Sequence, residues 1–418
     1  MGKFISRTIT IGVVLCGICF VTCNFYDATN IEDTPTNEIN QNNNMLSMML
    51  ETDSGSGQYE MTSLSSWPTD GYVFNSELSK CENGSKLRWD ETNKQVVFSG
   101  TITDKCYVYF DIISSVTLAD YVMSQYTGTQ GENNIYYHDA NLTNGAGDNS
   151  YRYAGASESV NNFVCFGTNE STCPTDNLYR IIGVFGDNVK LIKYDYANSN
   201  LLGTDGDYST KTYSKSEYST YKGELTTINR YFWNYKNNTS INDGSGSNTW
   251  STSLFNKTNL NKNYLNNIGT TWSNLIEDTT WKVSGHTTHD VTPKAMYTAE
   301  ITNATKTYGP ENGTSKIGLM YVSDYGFAAA PSEWTTPLYK YNSSSTSVNW
   351  MYMGLNEWTI TPYSYSSNSN TLFNFSYGGS PGIYYALYEY GARPVLYLKD
   401  SVAYAGGSGT KDSPIRIN

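Results

Sequence analysis

Histidine is nearly missing from this chain, with three residues in 418. A mechanism that needs several imidazoles, for metal binding or proton relay, has little to draw on. Charge is sparse as well: Asp, Glu, Lys and Arg make up 16% of the residues, and 27 basic residues face 39 acidic ones, for a formal net charge of −12. That balance repels phosphate backbones and anionic headgroups, which disfavours nucleic-acid binding. What the chain does have is aromatic bulk. Aromatic residues reach 14%, with 37 Tyr, alongside 35 Gly. Disorder goes with few aromatics and high charge, the reverse of this composition. The length suits roughly two to three domains.

The apolar run at 9–25 is broken only by Thr10, Gly12, Gly17, Thr22 and Asn24 and follows Lys3 and Arg7. A positive flank before a short apolar segment is the order of a secretory signal, or of an anchor that leaves the following chain outside. Both readings of residues 1–26 stand, and both imply export to the cell surface or beyond. Lipid attachment at Cys16, Cys19 or Cys23 is disfavoured, because none has the small residue directly before it and the aliphatic residue further back that such processing uses.

Seven cysteines are present, three of them inside that segment. The other four fall into two close pairs, Cys81 with Cys106 and Cys165 with Cys173. An even number in an exported chain reads as two disulfides. Loop-closure entropy gives about 2.5 kcal/mol for the shorter ring and about 3.5 kcal/mol for the longer one. A four-thiolate metal site is the rival, but neither pair has the two-residue spacing that such ligands favour.

Residues 27–57 are rich in Asn, Thr, Glu, Ser and Gly and read as a disordered tether, apart from a short apolar patch at 45–50. Residues 58–112 alternate in the β manner at 72–74, 87–89, 95–99 and 106–110, with turn residues at 90–94. This small module is expected to depend on a Cys81–Cys106 clamp. Residues 113–418 form the large domain. Helical spacing is expected at 116–126 and, more weakly, at 226–233. It is best developed from Leu260 through Tyr264, Leu265, Ile268 and Trp272 to Ile276. Residues 179–185 and 189–195 flank Gly186, Asp187 and Asn188 as a hairpin. Segments 281–283, 317–322, 349–353, 358–360 and 394–398 are short and β-prone. Short strands, few helices and long polar loops give an α+β fold.

Several of these stretches carry a resemblance: YRIIGVF at 179–185, the 259–276 segment with YLN at 264–266, KIGLMYV at 316–322, EWT at 357–359, RPVLYL at 393–398 and GGSGTKDSP at 406–414. The sequence resembles a bacterial family of exported proteins whose C-terminal domain is C-type-lectin-like. That domain belongs to the branch shared with formylglycine-generating sulfatase modifiers and is related to variable proteins of diversity-generating retroelements. The module at 58–112 resembles spacers of bacterial surface proteins. In the variable proteins, the resemblance implies, the binding face lies shortly before a terminal strand. The matching stretch here is 363–390, ahead of Arg393, and it holds Tyr363, Tyr365, Phe373, Phe375, Tyr377, Tyr384, Tyr385, Tyr388 and Tyr390 among Ser, Asn and Gly. Tyrosine offers wide contact at low entropy cost and Ser, Asn and Gly adapt, as in antibody loops. Packing into a core is the competing reading of the same residues.

Other chemistries find less support. An activity of the sulfatase-modifier type implies Cys late in the domain, and none follows Cys173. His286 and His289 beside Asp290 have a possible ligand spacing but lie among Ser, Gly and Thr, as in a solvated loop. Asp205 and Asp207 open like a calcium loop, yet its twelfth position is Ser216, with Glu217 one step too far. The Glu-Pro-Asn and Trp-Asn-Asp triplets of calcium-dependent sugar binding are absent, as is a phosphate-cradling loop. The expectation is therefore a surface-tethered, adhesin-like binding protein without catalytic residues, metal or cofactor. Its partner is a glycan or a protein, it avoids nucleic acid, and it meets the membrane only through its N-terminal segment. A structural envelope or pilus-like subunit is the alternative.

Overall fold

The computed structural model describes residues 34–35, 46–53, 56–62, 67–68, 71–101, 103–112, 116–214, 227–235, 246–302, 311–364 and 371–418. The chain divides into two compact units, Met1–Ser115 and Val116–Asn418. Both disulfides anticipated from the cysteine pairs are present, Cys81–Cys106 and Cys165–Cys173.

The first unit holds a sheet in the order Tyr59–Thr62, Leu46–Glu51, Cys106–Ile112, Tyr72–Cys81 and a smaller one in the order Thr34–Pro35, Gln95–Ser99, Lys86–Asp90. Alternation along Cys106–Ile112 sends Cys106, Val108 and Phe110 inward, where Phe110 meets Trp67, Phe74 and Trp89. Cys81 and Cys106 face each other in register across the last strand pair, so the disulfide staples neighbouring strands. The tether expected at 27–57 is corrected at its end. Leu46–Glu51 pairs in parallel with Cys106–Ile112, Met48 is buried, and the Glu51 carboxylate accepts from the backbone N–H groups of Gly57 and Ile112. A patch too short for a helix is long enough for a strand, because its hydrogen bonds come from a neighbour.

The second unit is mixed α+β and strand-rich. Its main sheet runs Ile317–Gly318, Val395–Tyr397, Asn188–Lys193, Leu178–Phe185, Tyr151–Tyr153, Ile135–Tyr137, with Phe163–Cys165 also paired to Leu178–Phe185. Leu178–Phe185 is buried along all but its last residue, which explains its nearly unbroken apolar sequence. The expected hairpin forms, turning at Gly186 with φ of 61°. Helix Leu118–Ser124 lies within the expected 116–126, capped by Thr117, whose hydroxyl accepts from the Asp120 N–H.

Three expectations are corrected. The 260–276 segment is not one amphipathic helix: Phe255–Tyr264 is π-helical, Leu265–Ile268 follows, and Gly269 with φ of 81° breaks the path before Thr270–Ser273. Of the weakly helical stretch expected at 226–233, the described residues 227–233 are not helical, because Thr227–Phe232 is a strand between Tyr208–Ser214 and Glu389–Tyr390. Ile228 and Tyr231, the inward residues, are three apart and fit either period. Residues 349–353 form a turn instead of a strand, with Asn349 bridged to Ala329.

Candidate functional site

Two small sheets of the second unit build the site. One is Tyr208–Ser214, Thr227–Phe232, Glu389–Tyr390; the other is Glu357–Pro362, Thr371–Phe375, Pro381–Tyr385. The chain leaves the second at Tyr385, turns, and enters the first at Glu389. The turn is closed by the Tyr388 N–H donating to the Tyr385 carbonyl at 3.0 Å. Its inner residue, Ala386, is fully buried, and its carbonyl accepts from the backbone N–H groups of Trp233 and Asn234. Pinning Ala386 inward leaves the flanking tyrosines facing out.

Tyr384, Tyr385 and Tyr388 are 40%, 44% and 44% exposed. Their rings form one cluster: Tyr384 meets Tyr388 edge-on with centroids 5.7 Å apart, and Tyr388 stacks on Tyr385 and on Tyr390, each at 6.3 Å. Tyr390 is the cluster's root. It is buried, sits in register opposite Tyr231, touches the Trp358 ring at 4.7 Å, and burial pushes its phenol pKa up. Rings held by one another lose little further freedom when a ligand arrives.

Beside the cluster lies a cleft of about 500 Å³ lined by Lys211, Tyr213, Arg230, Asn356, Leu387, Tyr388, Glu389 and Tyr390. Lys211 Nζ is 2.5 Å from Glu389 Oε1, and the Arg230 guanidinium lies 3.8 Å over the centre of the Tyr213 ring. The lysine is largely exposed, so this ion pair is weak and open to exchange for a ligand. Asn356 connects the cleft to Tyr377, because its Oδ1 accepts from the Tyr377 N–H at 3.1 Å. Tyr377 is the most exposed aromatic residue among those described, at 71%.

The structure separates the nine residues expected to bind. Tyr377, Tyr384, Tyr385 and Tyr388 face solvent, and Tyr390 is buried at the cleft wall. Phe373 and Phe375 are corrections. They sit in the central strand of a three-stranded sheet, every residue of which is buried, and Phe375 stacks on Tyr325 at 3.8 Å. Tyr363 is half-buried and meets Phe373 edge-on. Tyr365 lies outside the described residues.

Lys211, Tyr213, Arg230, Asn356, Leu387 and Glu389 line the cleft without being expected there. Lys211 and Tyr213 stand two apart, as residues sharing a strand face do, but Thr210, Lys211 and Thr212 are all exposed, so no alternation in Tyr208–Ser214 marks the pair. No nucleophile-elbow sequence was expected, yet GGSPG at 378–382 has the Gly-x-Ser-x-Gly spacing of one. An elbow joins a strand to a helix. Here the segment turns between two paired strands, with the Ser380 carbonyl accepting from the Ser376 N–H and hydroxyl.

His289 Nδ1 lies 2.8 Å from the Pro381 carbonyl oxygen, and His286 Nδ1 accepts from the Thr288 N–H. Asp205 accepts from the Asn263 amide and Asp207 from the Tyr235 N–H. His286 thus holds its own loop, while His289, Asp205 and Asp207 tie their segments to others. Among the described residues no group of three His, Cys, Asp or Glu could hold a metal ion, and no helix is long and apolar enough to cross a membrane. No family model, curated protein or solved structure matches the chain.

Proposed function

We propose that this is an exported, surface-tethered, adhesin-like protein. Its C-type-lectin-like second unit presents the tyrosine tip and the adjoining cleft to a glycan or protein ligand. The observation that carries this reading is the cluster of exposed Tyr384, Tyr385 and Tyr388 on a backbone turn pinned by buried Ala386. Large apolar surfaces left in water on a rigid support are the mark of a recognition site. Phenol rings stack on sugar faces and also anchor protein contacts, and Lys211, Arg230, Asn356 and Glu389 supply polar groups beside them. The apolar N-terminal segment behind Lys3 and Arg7 and the two disulfides support export.

The test is an array of glycans and host-surface proteins probed with the full exported chain and with its Tyr384→Ala/Tyr388→Ala variant. The reading expects discrete hits that the variant loses. Concentration-dependent self-association without hits, seen by sedimentation, supports the envelope-subunit alternative instead.

A further inference from the structure

Lys190 stands in the central strand Asn188–Lys193 and Asp324 in the first turn of helix Val322–Ala328. Nζ and Oδ2 are 2.5 Å apart, and both side chains are closed off from solvent. Four rings surround the amine: Tyr321 at 4.7 Å, Phe185 and Tyr397 at 5.4 Å, and Trp281 at 6.0 Å. Burial lowers the Lys190 pKa, favouring the neutral, nucleophilic amine.

Two further groups complete the arrangement. Glu300 is fully buried. Its carboxyl accepts from the Val322 and Ser323 N–H groups, in the same helical turn that carries Asp324, and its charge acts on both Lys190 and Asp324. Desolvation pushes its pKa up to about 7. Arg152 Nη1 is buried, 3.8 Å from Asp324 Oδ1, and has no hydrogen-bond partner among the described residues. It faces the oxygen that gains negative charge when a nucleophile adds to the Asp324 carboxyl.

We propose that Lys190 and Asp324 condense into an intramolecular amide cross-link, with Arg152 placed to stabilise the oxyanion. The ammonium of Lys190 passes one proton directly to the Asp324 carboxylate across their 2.5 Å contact. The Nζ lone pair attacks Cγ, forming the C–N bond. The nitrogen of the tetrahedral centre then passes its extra proton to the hydroxyl, and the C–O bond breaks to release water. One ammonium and one carboxylate become one amide and one water, with no oxidant, reductant or cofactor. Close approach, fixed orientation and a dry enclosure lower the barrier. The cross-link lies within the second unit and does not depend on the binding function proposed above.

Peptide mapping of the full exported chain by mass spectrometry, with its disulfides accounted for, tests this. The expected result is a branched peptide joining the Lys190 and Asp324 segments, lighter by one water than its parts, and its loss in Lys190→Met and Asp324→Ala. Lys190→Arg, which keeps a buried cation beside Asp324, is expected to leave both segments unlinked at full mass in a protein that keeps both disulfides, an outcome that lost packing alone does not give. Separate, unmodified segments in the wild-type protein would overturn the proposal, as would a water deficit that survives in Lys190→Met.

Discussion

Arg393 Nε lies 2.6 Å from Glu357 Oε1, and its Nη2 reaches Glu357 Oε2 at 3.1 Å, with both side chains buried. Arg393 comes two residues before strand Val395–Tyr397 of the main sheet. Glu357 opens strand Glu357–Pro362 of the sheet that leads into the tyrosine turn. The bidentate pair therefore fixes the tip to the core, and a further Arg393 hydrogen bond to the Met351 carbonyl at 2.7 Å strengthens the tie.

Removing one member strands the other charge in the interior. Arg393→Met is expected to cost about 3–5 kcal/mol. Chemical denaturation checks this, and Arg393→Met/Glu357→Leu is expected to recover part of the loss, because no lone charge remains.

Stability should fall as pH rises from 4.5 to about 7. Burial raises the folded-state pKa of Glu300 from 4.5 to about 7, so in that window the folded state keeps a proton that the unfolded state has released. Below the window both states are protonated and the penalty vanishes; above it the penalty is complete, of order 3 kcal/mol. Thermal unfolding across this range, compared with Glu300→Gln, isolates the contribution: the wild type should lose ground to the variant as pH rises.

The two disulfides should act separately. Cys81–Cys106 closes a sequence separation of 25 and Cys165–Cys173 one of 8. Cys81→Ala/Cys106→Ala is expected to cost about 3.5 kcal/mol and Cys165→Ala/Cys173→Ala about 2.5 kcal/mol. Calorimetry should show the first loss in the melting of Met1–Ser115 and the second in that of Val116–Asn418. A non-reduced peptide map of the wild type should show two linked pairs.

Local chemistry carried much of the fold. The 178–193 hairpin, the capped helix at Thr117 and both cysteine pairs rest on neighbours in sequence and were legible there. The parallel pairing of Leu46–Glu51 was hidden, since its partner strand lies some sixty residues away, and so was the break at Gly269 inside an apparently continuous apolar stripe. For the site, composition located the tyrosine-rich stretch but could not sort its faces. Phe373 and Phe375 are buried because both faces of their strand are covered, a property of packing and not of residue type. Lys211 and Arg230 reach Glu389 and Tyr390 only through the three-stranded sheet, so no local motif announces the cleft.

Affinity for the array hit, measured with the full exported chain, tests the tyrosine tip most directly. Tyr384→Ala/Tyr388→Ala is expected to weaken binding by about tenfold or more, the scale of a truncated aromatic anchor. Met61→Ala, which removes an exposed side chain from the first unit, is expected to leave it unchanged. Equal affinity of the wild type and the tyrosine variant, with the fold intact, would contradict the assignment of this rim as the recognition surface.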